Sequence, residues 1–323
     1  MYLQPIKIGS LHINGNIFSA PMAGYTDCVT RHIFCNNGAF LAYTEMISSE
    51  ALVRNNSRTL SMLKRFDGEK ILAVQLYGSK PEILGRAALI AAESGADLID
   101  LNAGCPVRKV TQKGGGAALG RDVRKLGLAI RAMVKAGLPV TVKIRSGWDE
   151  TEQNWREAVQ AVVQEGASAI GFHPRTCRQG YGGKADWKAL GELSAAAPVP
   201  VIGSGDLDSP SAVLKMLKKT SCSGVMIARG AIGYPEIFSR TCSLLNEGTP
   251  EIPPTPEDRL RSAKNHLLMA AETFGENSAA RNMKKLLAAY VRGWPSASKL
   301  RNDLMKTTNL SAQLTLLDGF IQD

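Results

Sequence analysis

The chain has 323 residues, 44% of them apolar and 21% charged, which is enough to bury a sizeable core in two domains or in one barrel with an appendage. No apolar run reaches the roughly 18 residues of a membrane helix. The start Met1-Tyr2-Leu3-Gln4-Pro5 lacks a secretory pattern, and six scattered cysteines without a C-x-x-C pair argue against zinc or a disulfide framework. A formal charge of +10 and a pI near 9.4 favour a polyanionic partner, and unpaired thiols favour the cytoplasm.

Short β-rich runs recur every 24 to 42 residues: Ile17–Pro21, Leu41–Met46, Ile71–Gly78, Leu98–Pro106, Val140–Gly147, Ala169–Arg175, Val199–Asp206 and Gly224–Ala231. Most are continuously apolar in the middle, as strands buried on both faces are. Between them, stretches such as Glu82–Ser94, Val123–Ala136 and Gln153–Glu165 place apolar residues at helical spacing. Eight such units predict an α/β fold, a (β/α)8 barrel of the TIM type over residues 1–248. An open doubly wound sheet is the alternative, but no G-x-G-x-x-G follows the first strand.

The stiff linker Gly248-Thr249-Pro250-Glu251-Ile252-Pro253-Pro254 ends the barrel. Thr255 then reads as an N-cap and Pro256 as the first residue of a helix. Helices over roughly 256–273, 280–292, 296–307 and 311–321 predict a small all-helical C-terminal domain, 249–323.

Every predicted strand ends in polar or glycine chemistry, and in a barrel these ends converge on the active-site face. The most specific stretch is Asp100-Leu101-Asn102-Ala103-Gly104-Cys105-Pro106, followed by the basic loop Arg108, Lys109, Lys113. Pro106 ends the strand, so the Cys105 thiol should face the mouth. A free thiol is mostly protonated at neutral pH and can act as a general acid. With His173 as a base it could instead be a nucleophile, and both readings stand at this point. Lys143 and Arg145 alternate by two and point to one side of their strand, which favours an anionic ligand over an ion pair with Asp100 or Asp206. Ser204-Gly205-Asp206 and Ala228-Arg229-Gly230 end strands seven and eight, the usual phosphate site of such barrels. His173 and Arg175 flank them.

Between Glu257 and Asn309 there are ten Lys or Arg against five Asp or Glu. Arg281, Lys284, Lys285 and Arg292 are expected on one helical face, with Met283, Leu286, Leu287 and Tyr290 on the other. A solvated basic face is one reading of this pattern, and a phosphate-contacting face for RNA is the sharper one.

Taken together, Ala20-Pro21-Met22-Ala23-Gly24-Tyr25-Thr26-Asp27, Thr44-Glu45-Met46, Val74-Gln75, Asn102 to Pro106, Val142-Lys143-Ile144-Arg145 with Gly147-Trp148, His173-x-Arg175-Thr176, Gly205-Asp206 and Arg229-Gly230 resemble the tRNA-dihydrouridine synthase family, most of all its bacterial B-type branch. The resemblance implies an FMN enzyme that takes electrons from NADPH (NADH being possible) and reduces a D-loop uridine of tRNA. It implies Cys105 as the acid that protonates C5 while hydride reaches C6. It implies FMN contacts at Pro21, Met22, Ala23, Gln75, Lys143, His173, Ser204, Gly205, Asp206, Ala228 and Arg229. Asn102, Arg145 and Arg175 match positions near the flavin or the flipped-out base, and a monomer is expected. The sequence departs from the family pattern at Ser204, Pro174 and Ala228, where Asn, Gly and Gly are usual. A free-pyrimidine flavin oxidoreductase would not need the basic tail. An inert RNA-chaperone barrel would not need Cys105 and Lys143, and a flavin-free phosphate barrel leaves the Asn102–Cys105 motif without a role.

Overall fold

In the computed structural model, residues 2–250, 252–294 and 297–320 are described. Nine parallel segments form one sheet: β3 (Ile17–Ser19), β4 (Leu41–Ala42), β5 (Ile47–Ser48), β6 (Ala73–Tyr77), β7 (Leu98–Ala103), β8 (Val140–Arg145), β9 (Ala169–His173), β10 (Val201–Ser204) and β11 (Gly224–Ile227). Their order is β4-β3-β11-β10-β9-β8-β7-β6-β5. β4 and β5 are two halves of the expected second strand, which is therefore interrupted. β4 pairs with β3, Tyr43 bridges to Ala73, and β5 pairs with β6, so the ring closes as a barrel. The interruption has a local cause: the Thr44 hydroxyl accepts the Gln75 N–H at 3.0 Å, replacing a backbone acceptor.

A hairpin that the strand pattern did not predict precedes the barrel. It comprises β1 (Ile6–Ile8) and β2 (Leu11–Ile13), turning at Gly9 with φ +57°. Ile6, Ile8 and Ile13 pack against Leu98, Ala169 and Ile202 at the strand starts and plug the barrel floor.

The outer layer is α1 (Cys28–Asn36), α2 (Ser49–Val53), α3 (Ser57–Ser61), α4 (Pro81–Glu93), α5 (Arg108–Thr111), α6 (Ala117–Arg121), α7 (Val123–Met133), α8 (Trp155–Gln164), α9 (Trp187–Ala196), α10 (Pro210–Thr220) and α11 (Ile237–Glu247). Side chains of Asp27, Asp122, Asp186 and Ser209 accept N–H groups in the first turns of their helices, as good N-caps do. The helices bury one face each, for example Leu84, Ala87 and Ala91 of α4 and Leu126, Ile130 and Met133 of α7.

Five further helices share a second core: α12 (Pro256–Phe274), α13 (Glu276–Asn282), α14 (Lys284–Tyr290), α15 (Ala297–Lys306) and α16 (Leu310–Gly319). Thr255 and Asp258 form a reciprocal capping box, with Pro256 just inside the helix. The single helix expected over 280–292 is instead α13 and α14. Met283, buried in the second core, forms the joint with ψ −12°, and Arg292 falls in the turn beyond α14. The expected helix start at Ser296 and helix end at Ile321, and Glu251 of the linker, lie outside the described residues.

The second core is tied to the barrel. His266 of α12 hydrogen-bonds to Thr30 of α1 at 3.2 Å through Nε2 and to the Tyr290 hydroxyl at 3.1 Å through Nδ1. All three residues are buried. Arg259 donates to the Gly233 carbonyl, and a Cβ at Gly233 would come within 2.4 Å of the Ala289 carbonyl carbon. Tyr25 and Ile232, from loops at the strand ends, also pack on this core.

Candidate active site at the barrel mouth

β7 brings Asp100, Asn102 and Cys105 to the rim. Asn102 Oδ1 accepts the N–H groups of Cys105 at 2.9 Å and Gly104 at 3.2 Å, and Asn102 Nδ2 donates to Gln75 Oε1 at 2.9 Å. Asn102 Nδ2 also lies 3.8 Å from Met46 Sδ, so the amide is engaged at both ends and positions the Cys105 loop. Gln75 Nε2 donates to Asp100 at 2.6 Å and keeps a second hydrogen for the mouth. Burial pushes the Asp100 carboxyl up to about 6, against hydrogen bonds from Gln75 and Thr141 and the nearby charge of Lys143.

The Cys105 thiol is half-buried. Burial pushes it above the ordinary thiol range, against the pull of the Val107 N–H, Arg145 and Lys143. His173 is no base for it. Burial, followed by the positive charges of Lys143, Arg145, Arg175 and Arg229, drives this imidazole down to about 2. Its Nε2 lies 3.2 Å from Arg175 Nη1, which can only donate, so Nε2 accepts and Nδ1 carries the proton.

Lys143 rises from β8 beside Asn102. Burial and the Arg145 charge lower its ammonium to about 8, against the pull of Asp100 and Cys105. Among the described residues no hydrogen bond or ion pair engages its Nζ, so it stands as an uncommitted cation at the rim. Arg145 is partly engaged by the protein. It donates through Nε to the carbonyl of Gly104 (2.8 Å) and through Nη1 to those of Thr176 (2.9 Å) and Gly180 (2.7 Å), and so staples the Cys105 loop to the loop after β9. Among the described residues its Nη2 has no hydrogen-bond partner, which leaves that edge open to a ligand.

Arg175 is engaged more fully. Its guanidinium is buried and donates to the carbonyls of Gly182 and Gly183 and to both carboxylate oxygens of Asp206, at 2.7 and 2.9 Å. Asp206 sits at φ +58°. Burial would raise its carboxyl, but the Ala185 N–H and Arg175 outweigh this and hold it below the ordinary value. It pairs with neither Lys143 nor Arg145. The preceding Gly205 is at φ +112°, and a Cβ there would meet His173 and Ala185 at 2.9 Å.

Among the described residues the N–H groups of Gly205, Asp206 and Arg229 find no hydrogen-bond acceptor. With the Nδ1–H of His173 and the guanidinium of Arg229 they make a donor-rich corner next to Ser204 and Ala228. That corner fits a phosphate monoester, and Lys143 fits a second anionic feature of the same ligand. On the far side, the loop after β3 carries Pro21, Met22 and Ala23. Met22 N donates to Thr26 Oγ1 at 3.0 Å, and Glu45 accepts the Gly24 N–H, so the loop is pinned from two sides.

Sequence reasoning missed Tyr181. Its ring is 56% exposed, yet Arg229 and Arg145 lie over it at 4.9 and 5.3 Å, and His173 stacks near it. An aromatic residue set among Gly180, Gly182 and Gly183 is the signal that could have found it. The basic tail residues diverge. Arg281, Lys285 and Arg292 are exposed and Lys284 is half-buried; Lys284 donates to the Met305 carbonyl at 2.9 Å and Arg281 to that of Asn277 at 3.0 Å, and the four are divided among α13, α14 and the turn beyond it instead of one helix.

A closed parallel barrel that gathers a protonated thiol, a free ammonium and a donor-rich corner on its C-terminal rim defines a (β/α)8-barrel enzyme of anionic ligands. The family pattern for dihydrouridine synthase (Dus) matches residues 18–323, and the chain belongs to this family of FMN-dependent oxidoreductases. It is 43% identical over 301 residues to a "Probable tRNA-dihydrouridine synthase" of Treponema pallidum, covering 90% of this chain and 88% of that one. It is 32% identical over 320 residues to "tRNA-dihydrouridine synthase B" of Vibrio cholerae, covering 98% and 99%. Among solved structures, an old yellow enzyme homologue from Zymomonas mobilis superposes with a TM-score of 0.54 at 13% identity, covering 80% of this chain and 96% of that one, which shows a shared barrel. Among the described residues no helix is long and apolar enough to cross a membrane.

Proposed function

We propose that the protein reduces a D-loop uridine of tRNA to 5,6-dihydrouridine, with FMN as cofactor and NADPH as electron donor. The observation that carries this is the protonated Cys105 thiol on the same rim as the uncommitted Lys143 ammonium. When bound and reduced, FMN supplies the hydride that uracil C6 receives. The Cys105 Sγ–H supplies the proton to C5, and a thiol is then restored from solvent. Gly205, Asp206, Arg229 and His173 Nδ1 would hold the phosphate, flanked by Ser204 and Ala228. Lys143 would face the negative edge of the ring system. Gln75 and the Pro21-Met22-Ala23 backbone would complete the cradle.

A stacked base cannot reach this rim, so the uridine leaves the stack. The exposed Tyr181 ring offers it a face. Residues 1–248 then act as the catalytic barrel and 249–323 as the RNA-binding unit. Arg108, Lys109 and Lys113 of the loop after β7 and Arg281, Lys285 and Arg292 of the tail are all exposed, and these cations would meet the RNA phosphates. We read the protein as a cytoplasmic monomer.

The test is to incubate FMN-loaded protein with NADPH and an unmodified tRNA transcript and to map the product by mass spectrometry. The expected product gains two hydrogens at one D-loop uridine. Turnover of a free pyrimidine with tRNA left intact would overturn the reading in favour of a free-base oxidoreductase.

A further inference from the structure

The hydrogen bonds behind Cys105 form one directed chain, and its direction is set by Asp100. Strand register places Asp100 between Gln75 on β6 and Thr141 on β8. Thr141 Oγ1 donates to Asp100 Oδ1 at 2.6 Å, and Gln75 Nε2 donates to Oδ2 at 2.6 Å. A carboxylate only accepts, so it fixes which end of the Gln75 amide faces it. Gln75 Oε1 must then face Asn102 and accept from Nδ2, at 2.9 Å. That leaves Asn102 Oδ1 to accept the backbone N–H groups of Gly104 and Cys105. If the Gln75 amide turned over, its NH2 would face the Asn102 NH2. If Asn102 turned in response, its NH2 would face two N–H donors and release the loop. The far end of the chain agrees with this order, since the two backbone N–H groups can only donate and Asn102 Nδ2 also lies 3.8 Å from Met46 Sδ, so Asp100 is the side-chain anchor at the other end. Asp100, Gln75 and Asn102 are all buried, so water is poorly placed to mend a reversed link.

We propose that Asp100 is the positioning residue of this site: by accepting from Gln75 it sets the polarity of the Gln75–Asn102 chain, and so holds the Cys105 backbone and thiol in the orientation proton delivery needs. The proposal rests on Cys105 as proton donor. Asp100 itself touches neither the thiol nor a ligand, so it acts only through its two intermediaries.

The test uses the FMN-loaded full chain with three substitutions. Asp100→Asn keeps an acceptor for Gln75 in its Oδ1 and turns its NH2 to Thr141 Oγ1, which can accept instead of donate, so the polarity survives. Asp100→Leu removes the acceptor. Gln75→Met cuts the chain one link later while Asp100 keeps Thr141; it serves if Asp100→Leu does not fold, and because Gln75 also lines the cofactor cradle it is read by the alkylation rate alone. Two readouts are taken: the rate of iodoacetamide alkylation at Cys105, resolved by peptide mass, and single-turnover dihydrouridine formation by pre-reduced enzyme. Asp100→Asn should stay close to wild type in both. The broken chains should change the alkylation rate, and Asp100→Leu should slow tRNA reduction by about a hundredfold, the cost of a misplaced reacting group. Wild-type behaviour in a broken chain would overturn the proposal, as would an Asp100→Asn protein as impaired as Asp100→Leu. If wild-type enzyme formed no dihydrouridine, the functional reading would fail, and the alkylation pattern would still decide the role of Asp100.

Discussion

Lys143 is the residue whose ionisation is easiest to read in solution. Its folded-state value, about 8, lies below that of a free lysine because burial and Arg145 disfavour the ammonium. The cation is therefore present below about pH 8 and lost above it. FMN affinity, measured by flavin fluorescence quenching, should be flat below that point and weaken above it by up to about tenfold per pH unit. In Lys143→Met it should be weaker throughout and without that break. A wild-type affinity that did not change across pH 8 would remove Lys143 from the cofactor site. At this scale the sequence was legible where one stretch carries the chemistry. The motif put Cys105 at the end of its strand, and β7 does stop just short of it, but at Ala103 rather than at Pro106. It was opaque where a partner comes from another strand. The His173 tautomer depends on Arg175, the duties of Arg145 on the carbonyls of Gly104, Thr176 and Gly180, and the inward commitment of Asn102 on Gln75.

Among the elements, the loop after β9 shows how a positive charge can serve the backbone. Arg175 binds the carbonyls of Gly182 and Gly183 and the carboxylate of Asp206, joining this loop to the end of β10. Removing it by Arg175→Ala leaves those acceptors without partners. The cost should be about 2–3 kcal/mol in urea denaturation, less than for a fully enclosed pair because Asp206 is partly solvated. Proteolysis within residues 176–185 should quicken in the same variant. An unchanged midpoint would show that the clamp contributes nothing. The helix entry at Thr255 was readable because a capping box is local. Three other features were not. The Ile6–Ile13 hairpin lies outside the strand-then-helix period, Thr44 breaks its strand by a side-chain bond to β6, and Met283 is a good helix former that ends α13 because the second core draws it in.

For the whole molecule, the Thr30–His266–Tyr290 contact is where pH should be felt. Burial drives the His266 imidazole down to about 3, well below its unfolded value of 6.5. A group depressed in the folded state contributes stability that is present above its unfolded value and lost as pH falls toward the folded one. Asp100, raised to about 6, works in the opposite sense over part of the same window. His173, driven down to about 2, adds to the loss, so the melting temperature should fall by several degrees as pH drops from 6.5 toward 4, and His266→Gln should lessen that fall without removing it. A wild-type melting temperature that held constant there would show that the junction is not what titrates. The basic tail is tested by salt. Lys285→Ala should lower the log–log salt slope of tRNA affinity by about 0.7–0.9 if it meets one phosphate. Lys284→Ala, whose ammonium already serves the Met305 carbonyl, should leave that slope unchanged. The central claim is that Cys105 delivers the proton to the base, and it is tested most directly in a single anaerobic turnover. Pre-reduced enzyme mixed with unmodified tRNA should become oxidised and yield dihydrouridine in equal amount. Cys105→Ala should keep its flavin reduced and its tRNA unchanged over the same interval, with a rate lower by about a hundredfold or more. If Cys105→Ala oxidised and modified tRNA as fast as wild type, the proton would come from elsewhere and the account would be wrong.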